Sequence, residues 1–312
     1  MKDVAGASVV PVARQLALAS ATVEVLDAMA RAGIRTVMLK GAAIATRLYD
    51  DPSERPAGDV DLLVEPNNSE PAARVLEELG FHDSLRGARA DERPAHSATF
   101  RRSGSLPAEV DLHVALYFCS RDPHGLWSEF SRATTFIDID NRPVEVLADS
   151  AQALVIAAHA LQHPSHPKPR EDLARALSRY DRETWADAGA MARRLEADGV
   201  LAASLKMSDT GARLASELLP GADSDCVEIR LHLAGAPTMS LGVMRLVQTR
   251  SIRERLRLVL RELFPSPPFM RELYPFAARG RKALAIAYVC RPLRMARRLP
   301  PAVRAWRRAR AA

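Results

Sequence analysis

The sequence predicts an α/β fold: a sheet unit with flanking helices over residues 1–148, a helical unit over 149–280 and a basic tail over 281–312. Three observations predict it. Short β-prone runs alternate with helical periods as far as Leu147. Helical periods alone follow Asp149. One apolar run, Gly58-Asp59-Val60-Asp61-Leu62-Leu63-Val64, carries two aspartates where a strand would normally exclude them.

Taken in order, a helix is expected from Val12 to Ala32, where apolar residues recur at helical spacing and Gly33 supplies a stop. Arg35 to Leu39 is a short β-prone run, followed by a turn at Gly41 and a helix to Tyr49. A proline- and charge-rich loop, Asp50 to Gly58, delivers the aspartate strand. Pro66-Asn67-Asn68-Ser69 breaks that strand, and Ser69 caps a helix to Leu79. Ser97 to Arg102 and Ala108 to Val114 read as strands joined through Ser103-Gly104-Ser105, and Thr134 to Ile139 and Val144 to Leu147 as a second pair around Asn141. Helices are then expected over 150–161, 171–178, 185–198 and 201–219, around 243–264 and over 281–289. Pro300-Pro301 is expected to split the tail.

Composition narrows the classes. Of 312 residues 47% are hydrophobic and 26% charged, which fits a globular chain and excludes a disordered one. Cys119, Cys226 and Cys290 lie far apart with no CxxC, which suits a reducing compartment and excludes a cysteine-built zinc site. No secretory pattern opens the chain, and no apolar stretch approaches the ~20 residues of a membrane span, so a soluble, cytoplasmic protein is expected. Charge is unevenly spread. Residues 241–312 hold 18 Lys and Arg against three acids, a net of +15 that leaves −9 on the rest of a +6 chain. Such a region attracts nucleic acid, anionic lipid, an acidic protein or the acidic body itself.

The chemistry is concentrated in a few residues. Positions i and i+2 of a strand share a face, so Asp59 and Asp61 project together. Two carboxylates that close repel unless a cation lies between them, and oxygen donors suit Mg²⁺ or Mn²⁺. Lys40-Gly41-Ala42 ends a strand and opens a helix, a geometry able to hold phosphate, although no P-loop pattern is present. In Glu109-Val110-Asp111-Leu112-His113, alternation puts Glu109, Asp111 and His113 on one face. If that strand lies beside the first, Asp111 completes a three-carboxylate cluster suited to phosphoryl displacement. Arg47 and Arg55 flank the site as candidate phosphate ligands. His159 and His163 are four residues apart on one helix, placed to pack at a junction or to touch substrate.

Together, Leu39-Lys40-Gly41, Tyr49-Asp50, Arg55, Asp59-Val60-Asp61-Leu62-Leu63-Val64 and Glu109-Val110-Asp111-Leu112-His113 resemble the polymerase-beta-like nucleotidyltransferase superfamily. The narrower likeness is to its bacterial branch of uncharacterised nucleotidyltransferases. The resemblance implies that superfamily's mixed sheet with flanking helices, followed by a helical domain. It implies transfer of an NMP from an NTP such as ATP to a hydroxyl acceptor (small molecule, peptide or protein), with pyrophosphate released. By the same resemblance, Asp59, Asp61 and Asp111 are catalytic and bind Mg²⁺ or Mn²⁺, while Lys40, Gly41, Ala42 and Arg55 face the nucleotide. The superfamily's turn is commonly Gly-Ser, whereas this chain has Gly41-Ala42, so Lys40 would replace the lost hydroxyl contact by charge. Two other classes fit the same residues. One is a catalytically weak nucleotide-binding or regulatory module of this fold. The other is a nucleic-acid-associated protein that uses its basic C-terminus.

Overall fold

In the computed structural model the described residues are 4–311 apart from 105–106, 120–121 and 140, with side chains from residue 15 onward. A seven-stranded mixed sheet forms from β1 (Thr36–Met38), β2 (Val60–Val64), β3 (His82–Asp83), β4 (Ser97–Arg102), β5 (Ala108–His113), β6 (Thr134–Ile139) and β7 (Arg142–Leu147). Its order is β3-β4-β5-β2-β1-β7-β6, with β2 beside β5 and β1 beside β7 parallel and the other pairs antiparallel. The aspartate strand β2 is therefore central rather than at an edge. Ser105, in the turn expected between β4 and β5, lies outside the described residues.

The helices are α1 (Val4–Arg31), α2 (Ala42–Leu48), α3 (Ser69–Glu78), α4 (Pro123–Phe130), α5 (Asp149–Gln162), α6 (Pro167–Arg179), α7 (Arg182–Arg194), α8 (Asp198–Leu205) and α9 (Asp209–Leu218). They continue with α10 (Val227–Leu233), α11 (Met239–Gln248), α12 (Ile252–Leu263), α13 (Pro267–Leu273) and α14 (Arg281–Ala311). None is long and apolar enough to cross a membrane. The chain divides into two compact units. The first comprises the residues up to Ser84, Ala95–Ala160 and His166–Asp223; the second comprises Leu85–Pro94, Leu161–Ser165 and Ser224–Ala312.

In the first unit the period-2 alternation of β2 divides the core between the two sheet faces. Val60, Leu62 and Val64 pack on one face with Val25 and Met29 of α1 and Leu76 of α3. Leu63 lies on the other, with Val37, Leu39, Ile44 of α2, Leu154 of α5, Trp185 of α7 and Leu201 of α8. Asp59 and Asp61 share parity with Leu63, so they leave the sheet on the side that the later helices cover.

Helix boundaries depart from expectation in several places (the stretch expected around 243–264, for one, is two helices, α11 and α12), and two of the departures show their cause plainly. The single helix expected over 201–219 is broken between Leu205 and Asp209. Ser208 accepts from the Gly211 N–H at 3.1 Å and starts α9 afresh, and Gly211 lies tight against the Leu205 backbone. The tail expected to split at Pro300-Pro301 instead continues as α14, although Pro292, Pro300 and Pro301 each remove a helical hydrogen bond. Packing outweighs that loss: Ala305, Trp306 and Ala309 of α14 sit against Leu231 of α10 and Met244 of α11, and Arg230 donates to the Ala309 carbonyl at 2.8 Å.

Gly211 offers a test whose sign separates local preference from packing. In an ordinary helix Gly→Ala stabilises by ~1 kcal/mol. Here an added Cβ would fall 2.2 Å from the Leu205 carbonyl oxygen. Gly211→Ala should therefore lower the urea midpoint of the full chain, and a raised midpoint would show that the α8–α9 junction is not packed this way.

Candidate active site

The topology assembles the site from three strand ends. Because β1 and β2 are antiparallel, the turn leaving β1 lies beside the residues entering β2, and the Leu39 N–H donates to the Asp61 carbonyl at 3.0 Å. Because β2 and β5 are parallel and in register, Asp61 and Asp111 are direct neighbours, as are Leu63 and His113. On the far side of β5, Thr99 of β4 sits opposite Asp111 and its hydroxyl donates to Asp111 Oδ1 at 2.6 Å. One donor atom each from Asp61, Asp111 and His113 lies within 4.8 Å of the others, an O/O/N set able to hold a divalent ion. Asp59, just ahead of β2, stands outside that trio but acts electrostatically on the same site.

Asp61 is the most enclosed member, only 2% exposed. Lys40 Nζ lies 2.8 Å from its Oδ1, and His113 Nε2 faces the same oxygen at 3.0 Å. An ionised carboxylate needs a donor there, so His113 donates through Nε2, while its Nδ1 is buried with no partner among the described residues. Burial works against the Asp61 charge, but the His113 hydrogen bond and the Lys40 ammonium more than offset it and hold this carboxyl below the usual range. Asp59 moves the other way. Burial first, then the Asp61 charge, push it up to about 6, with Lys40 pulling against them and Asp111 and Glu109 adding to the rise. Two carboxylates two residues apart are thus driven in opposite directions.

The turn after β1 is built around Gly41, whose φ of 65° and ψ of −122° suit a residue without Cβ. Arg55, 4% exposed, holds it from below. Its Nη1 donates to the Gly41 carbonyl at 3.0 Å, while Nε and Nη2 each reach an Asp172 carboxylate oxygen of α6 at 2.7 Å. Tyr49 donates to Asp172 at 2.8 Å, and Gln152 of α5 donates to the Leu39 carbonyl at 2.9 Å. Gln15 of α1 clasps the loop before Asp59 by bonding both the carbonyl and the N–H of Ala57, at 2.8 and 3.1 Å. Arg47 faces away from the acids, donating to the Leu147 carbonyl at 2.7 Å and pairing with Asp149.

Further residues near the acids carried no local signal in the sequence. Burial lowers Lys168 at the start of α6, as does the Arg55 charge, against the opposing pull of Asp172, Asp59 and Asp61; its Nζ donates to the Pro56 carbonyl at 2.5 Å. His96 lies 6.2 Å from the His113 ring and 5.8 Å from Tyr117, and burial together with the His113 and Lys40 charges pushes it down to about 4, so it is neutral at neutral pH. Thr99 could have been found from the β4–β5 register. Asp172 and Lys168 could not, because only tertiary packing brings α6 to the turn.

A family model described as uncharacterised nucleotidyltransferase matches residues 3–210. Among solved structures, the chain is similar to the antibiotic-resistance factor ANT(2'')-Ia, with 17% identity and a TM-score of 0.41 over 57% of this chain and 93% of that one. It is also similar to an antigenic nucleotidyltransferase-like protein from Paracoccidioides brasiliensis, with 14% identity and a TM-score of 0.35 over 59% of this chain and 93% of that one. No curated protein matches the sequence significantly.

Two outcomes test this geometry. Arg55→Met should destabilise the protein by ~3–5 kcal/mol, since it leaves Asp172 buried without its cation, and adding Asp172→Leu should recover part of the loss in a double-mutant cycle. The second concerns pH. The folded pKa of Asp59 is raised from 3.8 to about 6, so its contribution to stability is present below 3.8 and is lost as pH rises through about 6. The Asp59 carboxyl carbon should titrate near 6 by NMR, and Asp61→Asn, by removing a neighbouring charge, should move that midpoint down.

Proposed function

The chain belongs to the uncharacterised nucleotidyltransferase family, and from that premise we propose that it moves a nucleoside monophosphate from an NTP to a hydroxyl acceptor, releasing pyrophosphate. The observation that carries this reading is the in-register pairing of Asp61 and Asp111 on adjacent parallel strands, with Asp59 two residues upstream. The oxygen donors suit Mg²⁺ or Mn²⁺, and the Asp61, Asp111 and Glu109 charges that add to the burial-driven rise of Asp59 mark a crowding of negative charge that a divalent ion would relieve. In the proposed arrangement Asp59, Asp61 and Asp111 would hold two such ions, which would supply positive charge for an in-line phosphoryl displacement.

The chain's own groups then divide the work. Asp111, oriented by the Thr99 hydroxyl, takes the proton of the acceptor hydroxyl. The acceptor oxygen bonds to the α-phosphorus, the α–β bridging P–O bond breaks, and pyrophosphate leaves with the bond electrons. His113 fixes the Asp61 carboxylate through Nε2. Lys40, whose ammonium lies 2.8 Å from Asp61 at the turn, would offer a phosphate oxygen a charged contact in place of the hydrogen bond that a Gly-Ser hydroxyl would give next to Gly41 and Ala42. Arg55 serves as a positioning residue, since its guanidinium is committed to Asp172 and the Gly41 carbonyl.

Incubating the full chain with an α-labelled NTP, Mg²⁺ and a cell extract should label an acceptor. Asp61→Ala should cut that labelling by about 10²-fold or more, with far-UV circular dichroism unchanged. Undiminished labelling by a folded Asp61→Ala protein would overturn the mechanism.

A further inference from the structure

The second unit carries a surface that nucleotidyl transfer does not require. In α12, Ile252, Leu256, Val259, Leu260 and Leu263 recur at helical spacing and form one apolar stripe. A helix of this kind normally turns its stripe to a core, yet no residue of α12 is buried, and Ile252 is 79% and Leu256 59% exposed. The pattern recurs on α14, where Ile286, Val289 and Leu293 are each more than half exposed at i, i+3 and i+7.

Arginines border the α12 stripe, and they fall into two kinds. Arg261 pairs with Asp91 at 2.7 Å, and Arg255 donates to the Thr249 carbonyl at 2.7 Å, so both are structural. Arg253 and Arg257 have no ion-pair or hydrogen-bond partner among the described residues. Together with Leu256 and Leu260 they line a shallow depression of about 350 Å³. Two uncommitted guanidiniums thus stand directly beside exposed aliphatic side chains.

An occupant has to satisfy both features. A second copy of the chain would bring one +15 region against another. Nucleic acid would meet the arginines but leave the stripe wet, because the stripe is aliphatic and offers bases nothing to stack on. An anionic bilayer meets both: headgroup phosphates take the arginines, and the acyl boundary takes a stripe lying in the plane of the interface. We propose that the second unit docks peripherally on anionic phospholipid bilayers through the α12 stripe, with the exposed stripe of α14 adding to the contact. No described helix is long and apolar enough to span the bilayer, so the attachment is interfacial and reversible.

The test is flotation of the full chain with extruded vesicles, made either of phosphatidylcholine alone or of phosphatidylcholine mixed with phosphatidylglycerol. The protein should float with the anionic vesicles only, and added salt should release it. Ile252→Glu with Leu256→Glu should lower the partition coefficient at least about tenfold, since both side chains leave the interface. Arg253→Gln with Arg257→Gln should lower it by about fivefold per charge removed. All four side chains face solvent, so unchanged circular dichroism is expected in both variants. Three results would each overturn the proposal. One is equal binding to neutral and anionic vesicles. Another is anionic binding indifferent to the two glutamates. The third is a dimer, by light scattering, that the glutamates dissociate.

Discussion

A carboxylate shut away from water near the middle of a sheet cannot remain charged unaided, and Asp61 is such a carboxylate. Much of the first unit can be read as the means of keeping it ionised. Lys40 arrives from the turn after β1 and His113 from the end of β5, and both converge on one oxygen. That convergence needs β1 and β5 on either side of β2, in a single register. A slip of one residue on either side would turn the partner to the opposite face. Asp59 lacks comparable support and is pushed toward neutrality first by burial and then by the Asp61 charge, so the pair sets up two environments for one residue type.

The local half of this arrangement was open to sequence reading. Alternation showed that Asp59 and Asp61 share a face, Gly41 marked the turn, and the acids of β5 stood out because strands disfavour them. Six of the seven strands followed closely for the same reason, each a short, β-rich run bounded by turn residues, whereas the two-residue β3 offered no such run. Partners distant in sequence were not open to it. Nothing around Arg55 announces that Asp172, 117 residues on, will take its guanidinium, nor does any local signal give Lys168 its place near the acids. Helix ends failed for a related reason. The α8–α9 break turns on a backbone contact at Gly211, and the persistence of α14 through its prolines turns on packing against α10 and α11. Neither is encoded in the local periodicity.

The two units use amphipathic helices differently. In the first, apolar stripes close over the sheet, and trapped polar atoms are mostly paired across elements. In the second, α12 sends its stripe outward, and Arg89 satisfies its last turn by donating to the Arg261 and Phe264 carbonyls. Fixing the helix end while leaving its face bare keeps the stripe helical without burying it.

The bonds from the sheet to later helices carry one more consequence. Asp172 of α6 balances Arg55, Gln152 of α5 bonds the Leu39 carbonyl, and Trp185 and Leu201 complete the core over Leu63. A fragment ending after β7 would keep the guanidinium and lose its anion, and it would expose half its core. The sheet is therefore not a portable module. A gene fusion or shuffling event that preserves the site has to carry the chain through α9, and recombination joints that leave it intact fall no earlier than the passage into the second unit.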